Sequence, residues 1–234
     1  MSQFNKYGKE LEGAVKAYFE KYKAAESKVK EANEKIEEVN ADIREFERTG
    51  NKSAEYTARA RLASLQVERN RASDEFTEVK KANKDVHGQI REIRSRLETE
   101  CNAAFALDPD AIDPGFFQLI NSGLLKPADY ESLWTKAEKA GNVTMMRLIA
   151  DAAGVESEAQ RDKGNRNASA QLNNISSRRD DYTTTGVLRK FDELGYVAKL
   201  ALGDPKSPTY TRAVPNEMFF ERWDELCSEA IETF

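Results

Sequence analysis

One histidine, two cysteines, two tryptophans and six prolines occur in 234 residues. His87 has no second ligand one helical turn away, which leaves out a histidine-based metal centre. It also leaves out a Ser/His/Asp catalytic set, since no partners can be placed around it. Cys101 and Cys227 lack C-x-x-C spacing and give neither a disulfide framework nor a zinc site. There is no phosphate-cradling glycine loop. No window approaches the roughly 18 apolar residues of a membrane span. The N-terminal MSQFNKYGKELEG has no apolar core of signal-peptide length. The expectation from these absences is a non-enzymatic protein of a reducing cytoplasm, with no catalytic residues, no cofactor, no metal and no membrane partner.

Charge of one sign is also missing from the first half. Residues 1–100 hold 21 basic and 20 acidic side chains, against 15 and 21 in the remainder. Neither half has the basic excess that phosphate binding needs, so nucleic acid is not among the expected partners. Charged residues make up 33% of the chain and hydrophobic ones 39%. That balance suits long solvated helices.

The apolar pattern supplies the architecture. Leu11, Val15, Tyr18, Tyr22, Ala25, Val29, Ala32, Ile36, Val39, Ile43 and Phe46 follow one another at alternating spacings of four and three. This 3.5-residue period is the seam of a coiled coil. A second series runs Ala58, Leu62, Leu65, Arg69, Ala72, Phe76, Val79, Asn83, Val86, Ile90, Ile93 and Leu97, with polar Arg69 and Asn83 at a positions. Between Ile43 and Leu62 lie two heptads plus five residues, an offset that a continuous coiled coil does not absorb. Thr49-Gly50-Asn51 occupies the gap, with Gly50 as a helix stop and Ser53 as the expected N-cap.

The chain is therefore expected to fold back, with helices over about 4–48 and 54–104. Pairing Val39 with Leu62 puts the centre between Gly50 and Asn51. Ile36–Leu65, Val29–Ala72, Ala25–Phe76, Tyr22–Val79 and Leu11–Ile90 follow. The same register sets Tyr18 opposite Asn83, within reach of its hydroxyl. Tyr7 and Phe19 lie outside the seam and point to a further contact near the N-terminal end.

Composition changes at Leu107. Asp113 and Pro114 open a short helix that Gly123 ends, Pro127 opens a second, and Asn142 caps a third that Gly154 is expected to stop. Tyr130, Leu133, Trp134, Met145, Met146, Leu148 and Ile149 supply its apolar faces. Residues 155–183 are polar and read as a linker or weak helix, with a capping box over Ser157–Gln160. Residues 183–204 read as one helix, with Val187, Leu188, Phe191, Leu194, Val197, Ala198 and Ala201 on its apolar face; the alternative is a helix that ends at Gly195, followed by a β-hairpin of 196–202 with 209–214. Phe219, Phe220, Trp223, Leu226, Cys227, Ala230 and Ile231 share one face of a terminal helix.

The fold class expected is thus all-α: a coiled-coil hairpin over 1–104, a three-helix module over 105–154, a polar stretch over 155–183, and C-terminal helices over 184–234 packing on the module. Asp108, Asp110 and Asp113 lack the glycine and distant glutamate of a calcium loop, and are expected to cap helices. Arg59, Arg61, Arg69, Arg71, Arg91, Arg94 and Arg96 read as a solvated, cross-paired surface.

"FFQLINSGLLKPADYESLWTKA", "GNVTMMRLIADAA" and the terminal "FFERWDELCSEAIETF" resemble helical proteins of uncharacterised role encoded near the capsid genes of tailed bacteriophages and prophages of Gram-positive bacteria. The likeness is one of helical pattern over about residues 105–153 and 215–234. It brings no site residues. It implies a role in virion assembly, scaffold-like or as a minor structural protein. Capsid or other virion proteins, or further copies of the chain, would be the partners, in the host cytoplasm or the virion. The alternative is a host-directed or regulatory binding module, anti-defence or DNA-associated.

Overall fold

The turn at Gly50 sets the first half of the chain. In the computed structural model, which describes residues 4–203 (side chains at 117 and 121 apart) together with Arg222, Trp223, Glu225 and Cys227, α1 spans Asn5–Thr49 and α2 spans Lys52–Lys81. Asn51 N–H donates to the Phe46 carbonyl and Gly50 N–H to that of Glu47, the paired bonds of a Schellman stop. Gly50 has φ 70°, which a β-carbon would disfavour. Asn51 then caps α2, its side chain accepting from Ala54 N–H at 3.2 Å. The cap is Asn51 and not Ser53, because the chain re-enters a helix within two residues of the stop.

All eleven seam positions of α1 are buried or half-buried. Val39, Ile43, Ala58 and Leu65 form one core, with Ile36, Phe46 and Leu62 packed against it. Farther from the turn, the Tyr22 and Phe76 rings meet edge to face at 5.0 Å. Lys28 pairs with Glu75 at 2.7 Å. Partners on α2 climb in number as those on α1 fall, so the helices run antiparallel about Gly50. Of the two polar a positions, Arg69 is exposed and Asn83 is buried.

A one-residue interruption at Ala82 separates α2 from α3, Asn83–Ala104. Asn83 does not meet Tyr18. Its Nδ2 donates instead to the Leu202 carbonyl at 2.7 Å, and the Tyr18 hydroxyl and Asn83 Oδ1 are buried without a hydrogen-bond partner. The seam register took no account of α8, Thr184–Leu202, whose last carbonyls need donors.

The remaining helices are α4 (Pro114–Asn121), α5 (Pro127–Lys139), α6 (Val143–Asp162) and α7 (Arg166–Ser177), with short 3₁₀ turns at Pro109–Ala111 and Arg178–Tyr182. Asp113 and Asn142 cap α4 and α6 as expected, and Gly123 and Gly141 take positive φ just past α4 and α5. Two expectations fail: α6 runs through Gly154 to Asp162, and Ser157 opens no capping box but sits mid-helix, donating to the Ser169 carbonyl at 2.8 Å. Of the two readings of residues 155–183, linker or weak helix, the helix is the one found over most of the stretch. Gly154 is a contact point: a β-carbon there would lie 2.8 Å from Ser176 Oγ of α7. Leu172 and Ile175 consequently reach the core built on Phe116, Tyr130, Trp134, Met145 and Ile149.

Among the described residues no strand occurs, and no helix is long and apolar enough to cross a membrane. Residues 196–202 continue α8. Residues 204–214 and most of the expected terminal helix lie outside the described residues, and Trp223 and Cys227 are buried. The chain divides into two compact units, which do not follow chain order. One comprises Met1–Tyr7, Ile93–Leu194 and Glu232–Phe234; the other comprises Gly8–Glu92 and Gly195–Ile231. At the start of α8, Arg189 and Lys190 pair with Asp180 and Asp181, and Arg94 of α3 pairs with Asp192. The end of α8 meets the first turns of α3.

Candidate functional site

The residues singled out from sequence are spread among structural tasks. His87 is buried, with Nε2 3.0 Å from the Gly203 carbonyl. Together with Asn83, one turn earlier, it serves the carbonyl end of α8. Asp108 and Asp113 cap the Pro109 turn and α4. Among the described residues no group of three His, Cys, Asp or Glu side chains is placed to hold a metal ion. Met145 and Met146 are core residues. Arg59 pairs with Glu47 and Glu55, at 2.6 and 2.9 Å. Arg94 pairs with Asp192 and Glu98. Arg61, Arg69, Arg71 and Arg91 are exposed.

The largest acidity shifts among the described residues are those of two tyrosines and a cysteine. Tyr7 donates to Glu100 at 2.5 Å. That bond, with burial, pushes its phenol up to about 12. Lys6 and Tyr7 in turn hold Glu100 below the usual carboxylate range. Burial raises Tyr18 to about 12 and Cys101 to about 11. Burial and the neighbouring Glu100 carboxylate disfavour the thiolate, which makes Cys101 an inert thiol.

Grooves occur mainly where α7 packs. One of about 780 Å³ lies between α5 and α7 and is walled by Ser132, Thr135, Lys136, Lys139, Gln171 and Asn174. Arg178 at its edge bonds Glu131 at 2.9 Å and lies over the Trp134 ring. A second, of about 680 Å³, lies between α6 and α7 and carries Glu158, Arg161, Arg166 and the Arg179–Asp151 pair. A third, of about 410 Å³, lies at the start of α8 beside Arg147, whose Nε is buried and unpartnered. Amides, hydroxyls and paired charges suit these walls to a polar surface.

The first two grooves depend on α7, in the stretch that reads from sequence as a linker or weak helix. The signal was present. Gly164-Asn165 repeats the Gly-Asn dipeptide of the turns at 50–51 and 141–142, and makes the same pair of Schellman bonds.

Large apolar side chains also face solvent. Tyr56 and Val67 of α2 are 78% and 53% exposed, and Leu124, after α4, is 77% exposed. Comparison with protein-family models, with curated proteins and with solved structures gives no match.

Proposed function

We propose that the chain is a non-enzymatic binding protein that works through helical protein–protein contacts. The setting proposed is bacteriophage virion assembly, as a scaffold-like or minor structural component. The observation that carries the binding role is the α1–α2 pair. These helices of 45 and 30 residues spend one seam on each other and leave their other faces to solvent. A helix pair of that kind offers side chains at regular spacing to a partner helix or groove. Tyr56 and Val67 are the apolar members of the exposed face of α2, and aromatic anchors of this sort dominate contact energies. The phage setting is supported by the resemblance of residues 105–153 and 215–234 described above.

Co-expression with capsid precursors, followed by purification, tests the reading. Association that weakens with Tyr56→Ala and Val67→Glu is expected. A chain that stays monomeric and apart from virion proteins counts against it. Salt-sensitive DNA binding abolished by Arg91→Glu with Arg94→Glu would favour the DNA-associated alternative.

A further inference from the structure

Three arginines among the described residues are half-buried: Arg94, Arg147 and Arg178. A guanidinium is always charged. Taking it partly out of water costs free energy unless a countercharge and acceptors replace the lost hydration. Arg94 has Asp192 and Glu98, and Arg178 has Glu131. Arg147 has no carboxylate partner among the described residues. Its one hydrogen bond runs from Nη1 to the Phe105 carbonyl at 2.8 Å, and its Nε is buried without an acceptor. A buried donor left unpaired on a charged group is costly and calls for a reason.

The surroundings supply one. Arg147 lines the cavity of about 410 Å³ at the start of α8, with Asn102, Arg179, Asp180 and three consecutive threonines, 183–185. The other charges of this wall cancel: Arg179 is paired with Asp151 and Asp180 with Arg189, each at 2.6 Å. The Arg147 charge is left over. Thr183 caps α8, its hydroxyl oxygen accepting from Gly186 N–H at 3.2 Å and its carbonyl from Val187 N–H at 3.1 Å. The amides of Thr184 and Thr185, in the first turn, have no intrahelical acceptor. A β-carbon on Gly186 would run into the Asp180 backbone, so glycine there lets the turn that carries Arg179 and Asp180 close against α8.

We propose that this cavity binds a single phosphate group, free or carried on a small molecule, with Arg147 as its cationic anchor. A phosphate brings a negative charge and several acceptor oxygens, the two things that Arg147 lacks. The uncompensated guanidinium carries the site, and the Thr184 and Thr185 amides with the Thr185 hydroxyl add donors to the same wall. One net positive charge suits one phosphate and not a nucleic-acid backbone. The volume lies in the range of small-ligand pockets and leaves room for a group attached to the phosphate. The inference is independent of the binding role proposed above.

The test is a nitrogen-15 NMR titration of the full-length chain with inorganic phosphate, with ionic strength held constant by sodium chloride. Saturable shifts of the Thr184 and Thr185 amides and of the Arg147 Nε–H are expected. Arg147→Gln should weaken binding about tenfold or more and Thr185→Ala about threefold. Arg71→Gln, at an exposed position on α2, should leave it unchanged. Glycerol 3-phosphate is the second probe: tighter binding than inorganic phosphate assigns the site to a phosphate ester, and equal binding assigns it to the free anion. Shifts that do not saturate, or that saturate equally in Arg147→Gln, overturn the proposal. Thr185 is exposed, so Thr185→Ala tests the same cavity where Arg147→Gln does not fold, and unchanged affinity in Thr185→Ala then overturns it.

Discussion

Near the turn at Gly50 the buried set is Val39, Ile43, Ala58 and Leu65, held between two helices. Around Trp134 it is eleven side chains drawn from four helices and reaching from Phe116 to Ile175. The first region buries one seam, so each side chain has a partner fixed by heptad spacing and a flank open to water. The second buries side chains on several sides, and its partners are set by how loops return the chain. One region is regular and thin, the other irregular and deep. Stability should be distributed accordingly, with the deep core opening last.

The largest effect that could break this contrast is at Trp134, which is 1% exposed. Trp134→Ala should lose about 3–5 kcal/mol in urea denaturation, through a cavity that four helices cannot close. Leu65→Ala, in the thin seam, should lose about 2 kcal/mol, since neighbours and water can fill the gap. Equal losses would remove the distinction.

The next effect is one of pH. Burial raises the Tyr18 phenol to about 12 in the fold, against about 10 unfolded. Below pH 10 both states are protonated and this group's contribution is intact. Between pH 10 and 12 the unfolded state loses its proton first, so stability falls by about 2–3 kcal/mol from this group. Tyr18→Phe should flatten that part of the alkaline decline. At pH 7 it should raise stability by about 1 kcal/mol, because a buried hydroxyl without a partner is removed. A loss of stability at pH 7 would show that the hydroxyl is satisfied in solution.

The smallest effect sharpens the turn. Asn51→Ala removes the α2 cap and should cost about 1 kcal/mol by thermal denaturation, with Ser53→Ala near zero. The reverse order would return the cap to Ser53.

The thin region was the legible one. Its period is local, and every α1 seam residue is at least half-buried. Errors arose wherever a distant element intervened. Asn83 sits at a seam position but bonds the end of α8, more than a hundred residues away in sequence. Gly154 has two local readings, helix stop and close contact, and only the position of Ser176 decides between them. Residues 155–183 lack the apolar stripe of a self-sufficient helix. Two buried residues, Leu172 and Ile175, secure α7 because the α6 face opposite is small, with Ala150 and Ala153. The grooves beside α7 were illegible for the same reason. What local chemistry does specify, it specifies consistently: Gly-Asn stops one helix and starts the next at residues 50, 141 and 164.

The central claim is that α1 and α2 pair antiparallel within one chain about Gly50, and the most direct test is a disulfide between Val29→Cys and Ala72→Cys. These positions flank the Lys28–Glu75 pair, and the native cysteines are buried. On mild oxidation the account predicts rapid, near-complete formation of a cross-linked monomer, independent of protein concentration. A cross-linked dimer, or no cross-link, would contradict it.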